Sequence, residues 1–472
     1  MSFFRWRTLL VVLMVSSIGN ALAEEVDVKA LLERMSLMEA KMAEQEKTIA
    51  TLKAENYTTQ TTSQKVDSAL SSKTQVSSVV FHDPELHPRP IKIGGYLDTT
   101  YQYAFNQPTV PVPAYNMERI FDGADNNDFN VHLAKIFFDG TAQKAGEAGF
   151  RIDLAFGTDA DLFDHAGAAT DDNFSLQQAY IDFIIPAGNG IRMKVGKFAT
   201  PVGYEVMEAQ DNWNATRSFN FGKAIPFTHT GIGFEYEVFE NWQVAGYLVN
   251  GWDSLLDNNE GKTGIIQSNW SPVSWMSWIV TGVVGNEVGK SVDIGVDDRA
   301  DEDTTYLVNT VLTFEPWKKW SFALEACYAV AENGSANDAE DGLPAANNYN
   351  QRGFRETPDA EWWGTAGYVK YAFLPEWYLA VRGEYFMDYD AVRSQYGQLF
   401  SGRQELYSGT ATLSYAPVNP FEIRLEYRYD ASSRDVFLGK DVDPGGLHAM
   451  DGNFLDRKDT QDTVTVQFLY KF

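Results

Sequence analysis

"ATLSYAPVNPFEIRLEYRYD", residues 411–430, decides the fold. In its second half Phe421, Ile423, Leu425, Tyr427 and Tyr429 alternate strictly with Glu422, Arg424, Glu426, Arg428 and Asp430. A period of two means a strand with one apolar and one charged face. The prolines of "APVNP" (416–420) turn the chain between this run and the run before it. Alternation of this kind suits a soluble sandwich and a membrane barrel equally well.

The connections separate the two. Sixteen strand-like runs lie between Ile91 and Phe472, the first near 91–104 and the last near 461–472. Every second connection is short, as in "PAGN" (186–189), "EN" (240–241), "SP" (271–272) and "LP" (374–375). The others are long, polar and acidic, among them 105–126, 158–172, 332–360 and 432–459. An even number of antiparallel strands, with short turns at one rim and long loops at the other, predicts an all-β transmembrane barrel of about 16 strands. Trp242, Trp275, Trp317, Trp320 and Trp377 lie beside the short turns, where an interfacial aromatic belt belongs.

Composition agrees. Aromatic content of 14% with 37 glycines and a mean hydropathy of −0.30 suit amphipathic strands. After residue 23 there is no run of about 18 apolar residues, so no transmembrane helix is expected. With apolar faces on lipid, Arg151, Arg192, Lys194, Glu235, Glu237, Arg382, Glu384, Arg424 and Arg428 point inward, as do Asp153, Glu325, Glu422 and Glu426. Facing lipid, a basic side chain would cost about 2–4 kcal/mol near the midplane. The economical expectation is a wet lumen, because in a dry one these charges would need complete pairing.

Ahead of the barrel three segments differ in character. Residues 1–23 pair Arg5 and Arg7 with an apolar run and Ala21-Leu22-Ala23, the parts of a secretory signal peptide. Residues 24–56 place Val28, Leu31, Met35, Met38, Met42, Ile49 and Leu52 at heptad spacing, as in a short helical coiled coil. Residues 57–90 are a Ser/Thr/Pro linker ending in "HDPELHPRP" (82–90), whose prolines oppose helix and ladder alike. The segments predict export, a helix in the periplasm and a barrel over 91–472.

The net charge of −27 makes nucleic acid an improbable partner, since phosphates would be repelled. One cysteine, Cys327, offers no internal disulfide. "GNEVGKS" (285–291) is one residue short of a phosphate-binding loop, and an acidic run follows it where a helix should begin. The six histidines are scattered without metal spacing or a nucleophile elbow. No catalytic residue, metal ligand or cofactor is therefore expected. The acidic stretches 122–128 and 296–303 suggest contact with lipopolysaccharide through divalent ions.

"GKFATPVGYEVMEAQDNWNATRSFNFGKAIPFTHTG", residues 196–231, resembles the OmpL-like family of β-barrel porins of Gram-negative bacteria, and more loosely the phosphate-selective porins. The resemblance covers most of 91–472 and implies an outer-membrane channel for small hydrophilic solutes. Within it, 199–229 is the third long loop and is similar to the loop that folds inward and narrows sixteen-stranded porins. Glu205, Glu208, Asp211, Arg217 and Lys223 would then be its constriction charges, anchored by Tyr204, Trp213, Phe219, Phe221 and Phe227. The phosphate-selective pattern would need a ladder of cations. Here the inward set mixes six basic with seven acidic residues under acidic loops, which favours cations or neutral solutes. The terminal aromatic Phe472 matches the barrel-end signal read by the insertion machinery, and a homotrimer is the expected assembly. A structural tether through the coiled coil, or a sheath around an electron conduit, would use the same barrel differently.

Overall fold

A computed structural model of the chain describes residues 79–81, 90–108, 119–121, 127–163, 173–256, 261–287, 304–332, 359–390, 392–393, 403–440 and 457–472. The signal segment 1–23, the heptad segment 24–56 and most of the linker lie outside these residues.

Sixteen strands form the wall. They are β1 Ile91–Ala104, β2 Asp128–Asp139, β3 Ala148–Phe156, β4 Phe174–Ile185, β5 Ile191–Ala199, β6 Thr228–Phe239, β7 Trp242–Val249 and β8 Thr263–Val273. There follow β9 Met276–Gly285, β10 Thr305–Trp317, β11 Trp320–Ala331, β12 Ala360–Leu374, β13 Trp377–Asp388, β14 Gln404–Val418, β15 Phe421–Ser432 and β16 Thr460–Lys471. Each pairs antiparallel with its sequence neighbour, and β16 pairs back onto β1 through Val464↔Tyr103 and Tyr470↔Leu97. The sheet is thus a closed 16-stranded antiparallel barrel, and no strand of the wall is left with an open edge.

Each expected run falls on one of these strands, with ends shifted by a few residues. The turn assigned to "SP" lies instead at Ser274–Trp275, and Pro272 belongs to β8. The ladder tolerates it because the register slips there, between Met276 and Trp278 of β9, so the missing N–H of Pro272 falls in an irregularity. The linker also departs from expectation. Val79–Phe81 adds to the start of β1 with Val79↔Ile93 and Phe81↔Ile91. These residues precede the prolines, so their N–H groups are intact.

The outward face is the apolar one. Ile266, Val308, Leu324, Val381 and Leu425 are exposed on it, while Arg382, Arg424 and Arg428 are buried inside. That inversion of a soluble core is what a lipid solvent requires.

Candidate functional site

Residues 200–227 connect β5 to β6, and a narrow neck starts the loop. The Thr200 N–H donates to the Phe227 carbonyl at 2.9 Å, and Thr200 Oγ1 accepts from the Val202 N–H at 3.2 Å. Gly203 then turns with φ of +95°. A β-carbon there would lie 2.4 Å from Ile225 Cδ1, so both conformation and space call for glycine. Beyond it the chain runs inside the barrel with one 3₁₀ turn, Ala209–Asp211, and one π turn, Asn220–Ala224.

A segment so irregular leaves its backbone polar groups unmatched, and buried groups of that kind must find partners. The wall supplies them. Arg382 donates to Glu205 at 2.8 Å and to the Thr216 carbonyl at 2.5 Å. The same Glu205 accepts from the Ser218 N–H at 2.6 Å. Glu384 accepts from the Phe219 N–H at 2.5 Å and faces Arg382 at 3.2 Å and Arg428 at 3.6 Å. Glu426 accepts from the N–H groups of Ala215 at 2.6 Å and Thr216 at 3.0 Å. Arg424 donates to the carbonyls of Ala209 and Asn214, and Arg428 to that of Arg217. Arg119, arriving from the first long loop, pairs with Asp430 at 2.6 Å.

Within the alternation, Arg424, Glu426 and Arg428 therefore present carbonyl-seeking and amide-seeking side chains in turn to the docked loop, while Glu422 holds Arg424 and Asp430 holds Arg428 and Arg119. Arg382, Arg424 and Arg428 are at most 1% exposed. A dry wall was the arrangement that sequence reasoning disfavoured, and it exists here because the pairing is so extensive. Charge-assisted hydrogen bonds to the loop backbone offset the desolvation of these ions.

Apolar packing completes the dock. Phe121 of the first long loop stacks on Phe163 of the second at 4.6 Å and meets Phe227 edge-on at 4.8 Å. Arg217 lies 5.6–5.7 Å from the ring centres of Phe121, Phe163 and Phe221, donates to the Met207 carbonyl at 2.5 Å and reaches Asp159 at 3.9 Å. Lys223 is buried, and its carbonyl accepts from Arg393 Nε at 2.6 Å. Arg217 and Lys223 thus sit within the dock. Glu208 is half-buried and pairs with Lys135 of β2, while Asp211 is exposed at the tip.

The wall away from the dock is wetter. Arg151 pairs with Asp153 and with Asp139, the latter at 3.1 Å. Arg192 pairs with Asp182, and Lys194 with Glu235 at 2.6 Å. The side chains of Arg192 and Lys194 keep 29% and 23% exposure, and Glu237 is exposed nearer the short-turn rim. Phe472 closes the barrel seam through reciprocal backbone hydrogen bonds with Gly95 at 2.9 Å.

Sequence reasoning missed Lys135, Arg119, Asp253, Glu287 and Arg393. Lys135 was hidden by a register slip in β2, where the partners of Asp98 and Thr99 jump from Leu133 to Val131 and the alternation changes phase. The other four sit in long loops that have no period to read. Asp253 accepts from the N–H groups of Phe227 and Thr228 at 2.8 and 2.7 Å. Glu287 accepts from the Trp252 N–H at 2.7 Å.

Burial pushes Asp253 up to about 6 and Glu287 up to about 7. A carboxyl whose folded pKa is raised holds its proton after the unfolded chain has lost it. Stability then falls as pH rises from the ordinary carboxylate range through about 7. The thermal unfolding midpoint of the refolded protein is expected to drop between about pH 5 and about pH 8, with Glu287→Gln flattening the drop. An identical pH slope in the variant would remove Glu287 from this role.

The family described as "Putative beta-barrel porin-2, OmpL-like" matches residues 90–472. The chain belongs to that family. Among solved structures, this chain is similar to Salmonella typhi OmpF in complex with daunomycin, at 10% identity and TM-score 0.49, over 84% of this chain and 100% of that one. It is similar to the outer membrane channel DcaP of Acinetobacter baumannii at 13% identity and TM-score 0.48, over 81% and 97%. It is also similar to an anion-selective porin from Comamonas acidovorans at 8% identity and TM-score 0.48, over 81% and 99%. Among curated proteins none matches this chain. Membership places the chain among outer-membrane channel proteins rather than enzymes.

Proposed function

We propose that this porin is a passive, cation-leaning pore whose narrowest part lies between residues 200–227 and the wall that they leave uncovered. The observation that carries the reading is the uneven dock: the loop is bonded to β8 near its neck, along β11 to β15, and through Glu208 to Lys135 of β2, while Arg151, Arg192, Lys194 and Glu235 on β3, β5 and β6 remain partly solvated. Solutes then pass between the exposed Asp211 of the loop and the solvated wall charges Arg192, Lys194, Glu235 and Glu237, with Glu208 held against the wall by Lys135 beside Arg151. Acidic long loops under a net charge of −27 bias entry toward cations.

In a salt gradient across a planar bilayer, the reversal potential should report a cation preference. Arg192→Glu with Lys194→Glu should strengthen it. Clear anion preference in the native protein would sink the reading, and an unchanged potential in the variant would take these two residues out of the permeation path.

In the same reading the short-turn rim faces the periplasm, where residues 24–56 lie after removal of 1–23. Three copies assemble, lipopolysaccharide meets the acidic loops, and Phe472 serves the insertion machinery.

A further inference from the structure

The turn between β10 and β11 differs from the other short turns. It reads Trp317-Lys318-Lys319-Trp320, and Trp317 pairs with Trp320 across it. On the outer face Trp320 stacks on Tyr371 of β12 at 4.4 Å and 25° and lies parallel to Phe322 at 6.0 Å. Trp317, Lys318, Lys319, Trp320 and Tyr371 enclose a shallow recess of about 570 Å³. Lys319 Nζ donates to the Phe373 carbonyl at 2.9 Å, which fixes its ammonium beside those rings.

Both lysines are exposed, and among the described residues neither forms an ion pair with a carboxylate. Glu315, close in sequence, accepts from the Ser321 hydroxyl at 2.9 Å and pairs with neither lysine. The remaining short turns hold no net positive charge: 186–190, 274–275 and 419–420 carry none, 240–241 and 375–376 carry one Glu each, and 140–147 balances Lys144 with Glu147. A chain of net charge −27 thus puts two unmatched cations side by side, among stacked aromatics, at the level where lipid headgroups begin.

Two ammonium groups attract a phosphodiester. The indole faces cover the glycerol and the upper acyl chain. A zwitterionic headgroup would bring its own cation against the lysines, whereas an anionic one brings none. We propose that the β10–β11 turn binds the headgroup of an anionic phospholipid in the leaflet at the short-turn rim.

Native mass spectrometry of the full chain, folded in detergent and mixed with phosphatidylglycerol or phosphatidylcholine, tests this. Phosphatidylglycerol should be retained roughly tenfold or more over phosphatidylcholine, and Lys318→Gln with Lys319→Gln should abolish the difference. Lys144→Gln, at another short turn, should leave it intact, and heat-modifiable gel mobility verifies folding in each variant. Equal retention of the two lipids, or undiminished preference in the double variant, would overturn the site. Displacement of the lipid by excess inorganic phosphate would also overturn it, since the anion alone would then be recognised. A change of oligomer mass without a change in lipid retention would assign the surface to a second copy and overturn it as well.

Discussion

Replacing residues 203–226 by a short Gly-Ser bridge is expected to raise single-channel conductance severalfold. The bridge is feasible because Thr200 and Phe227 are already hydrogen-bonded neighbours at 2.9 Å. The barrel should still form, since its ladders, such as Arg382↔Thr410 and Arg428↔Thr410, are made between adjacent strands and not through the loop. Water would enter where the loop had been and solvate Arg382, Glu384, Arg424, Glu426 and Arg428. The physical claim is that these ions are dry only because the loop covers them. A second measurement separates this from simple widening. Arg424→Glu with Arg428→Glu should shift the reversal potential strongly in the loopless protein and destabilise the intact one instead. An unchanged conductance after removal of the loop would refute the constriction.

The second large effect is energetic. Arg382→Met should cost about 3–5 kcal/mol in urea unfolding of the refolded barrel, the usual penalty for stripping one partner from a buried ion pair. Arg382 is fully buried, and its loss leaves Glu205 without its wall cation and the Thr216 carbonyl without its donor. Glu384 keeps Arg428 at 3.6 Å, so part of the network survives. Adding Glu205→Gln removes the uncompensated charge and should recover a good part of the loss. The two substitutions should be clearly non-additive, as expected of residues in contact. Additive costs, or a single-variant cost below about 1 kcal/mol, would mean that the pair is hydrated and not holding the loop.

The strands were legible because lipid and lumen impose opposite solvents on the two faces of every strand, so burial writes a period of two into the sequence. The phase of that period placed Arg382, Arg424 and Arg428 on the inner face without any coordinates. It failed at Lys135, where one register slip reverses the phase, and at Pro272, where another lets a proline into the ladder. Neither slip has a mark in the local alternation.

What alternation states is direction and not hydration. An inward arginine reads the same in sequence whether it meets water or the carbonyl of residue 216. That difference depends on a loop more than 150 residues away along the chain, for Arg382 and Thr216 are 166 residues apart. By itself the sequence determined the closed sixteen-stranded wall, its lipid face, the sorting of short and long connections, and the absence of recognisable catalytic chemistry. Only the tertiary structure decided which strands the third long loop is bonded to, that Arg217 and Lys223 are buried inside that dock, and that Arg151, Arg192 and Lys194 keep solvent. The reason is that docking is a pairing between an aperiodic segment and a distant ladder, and local periodicity carries no information about which distant groups will meet.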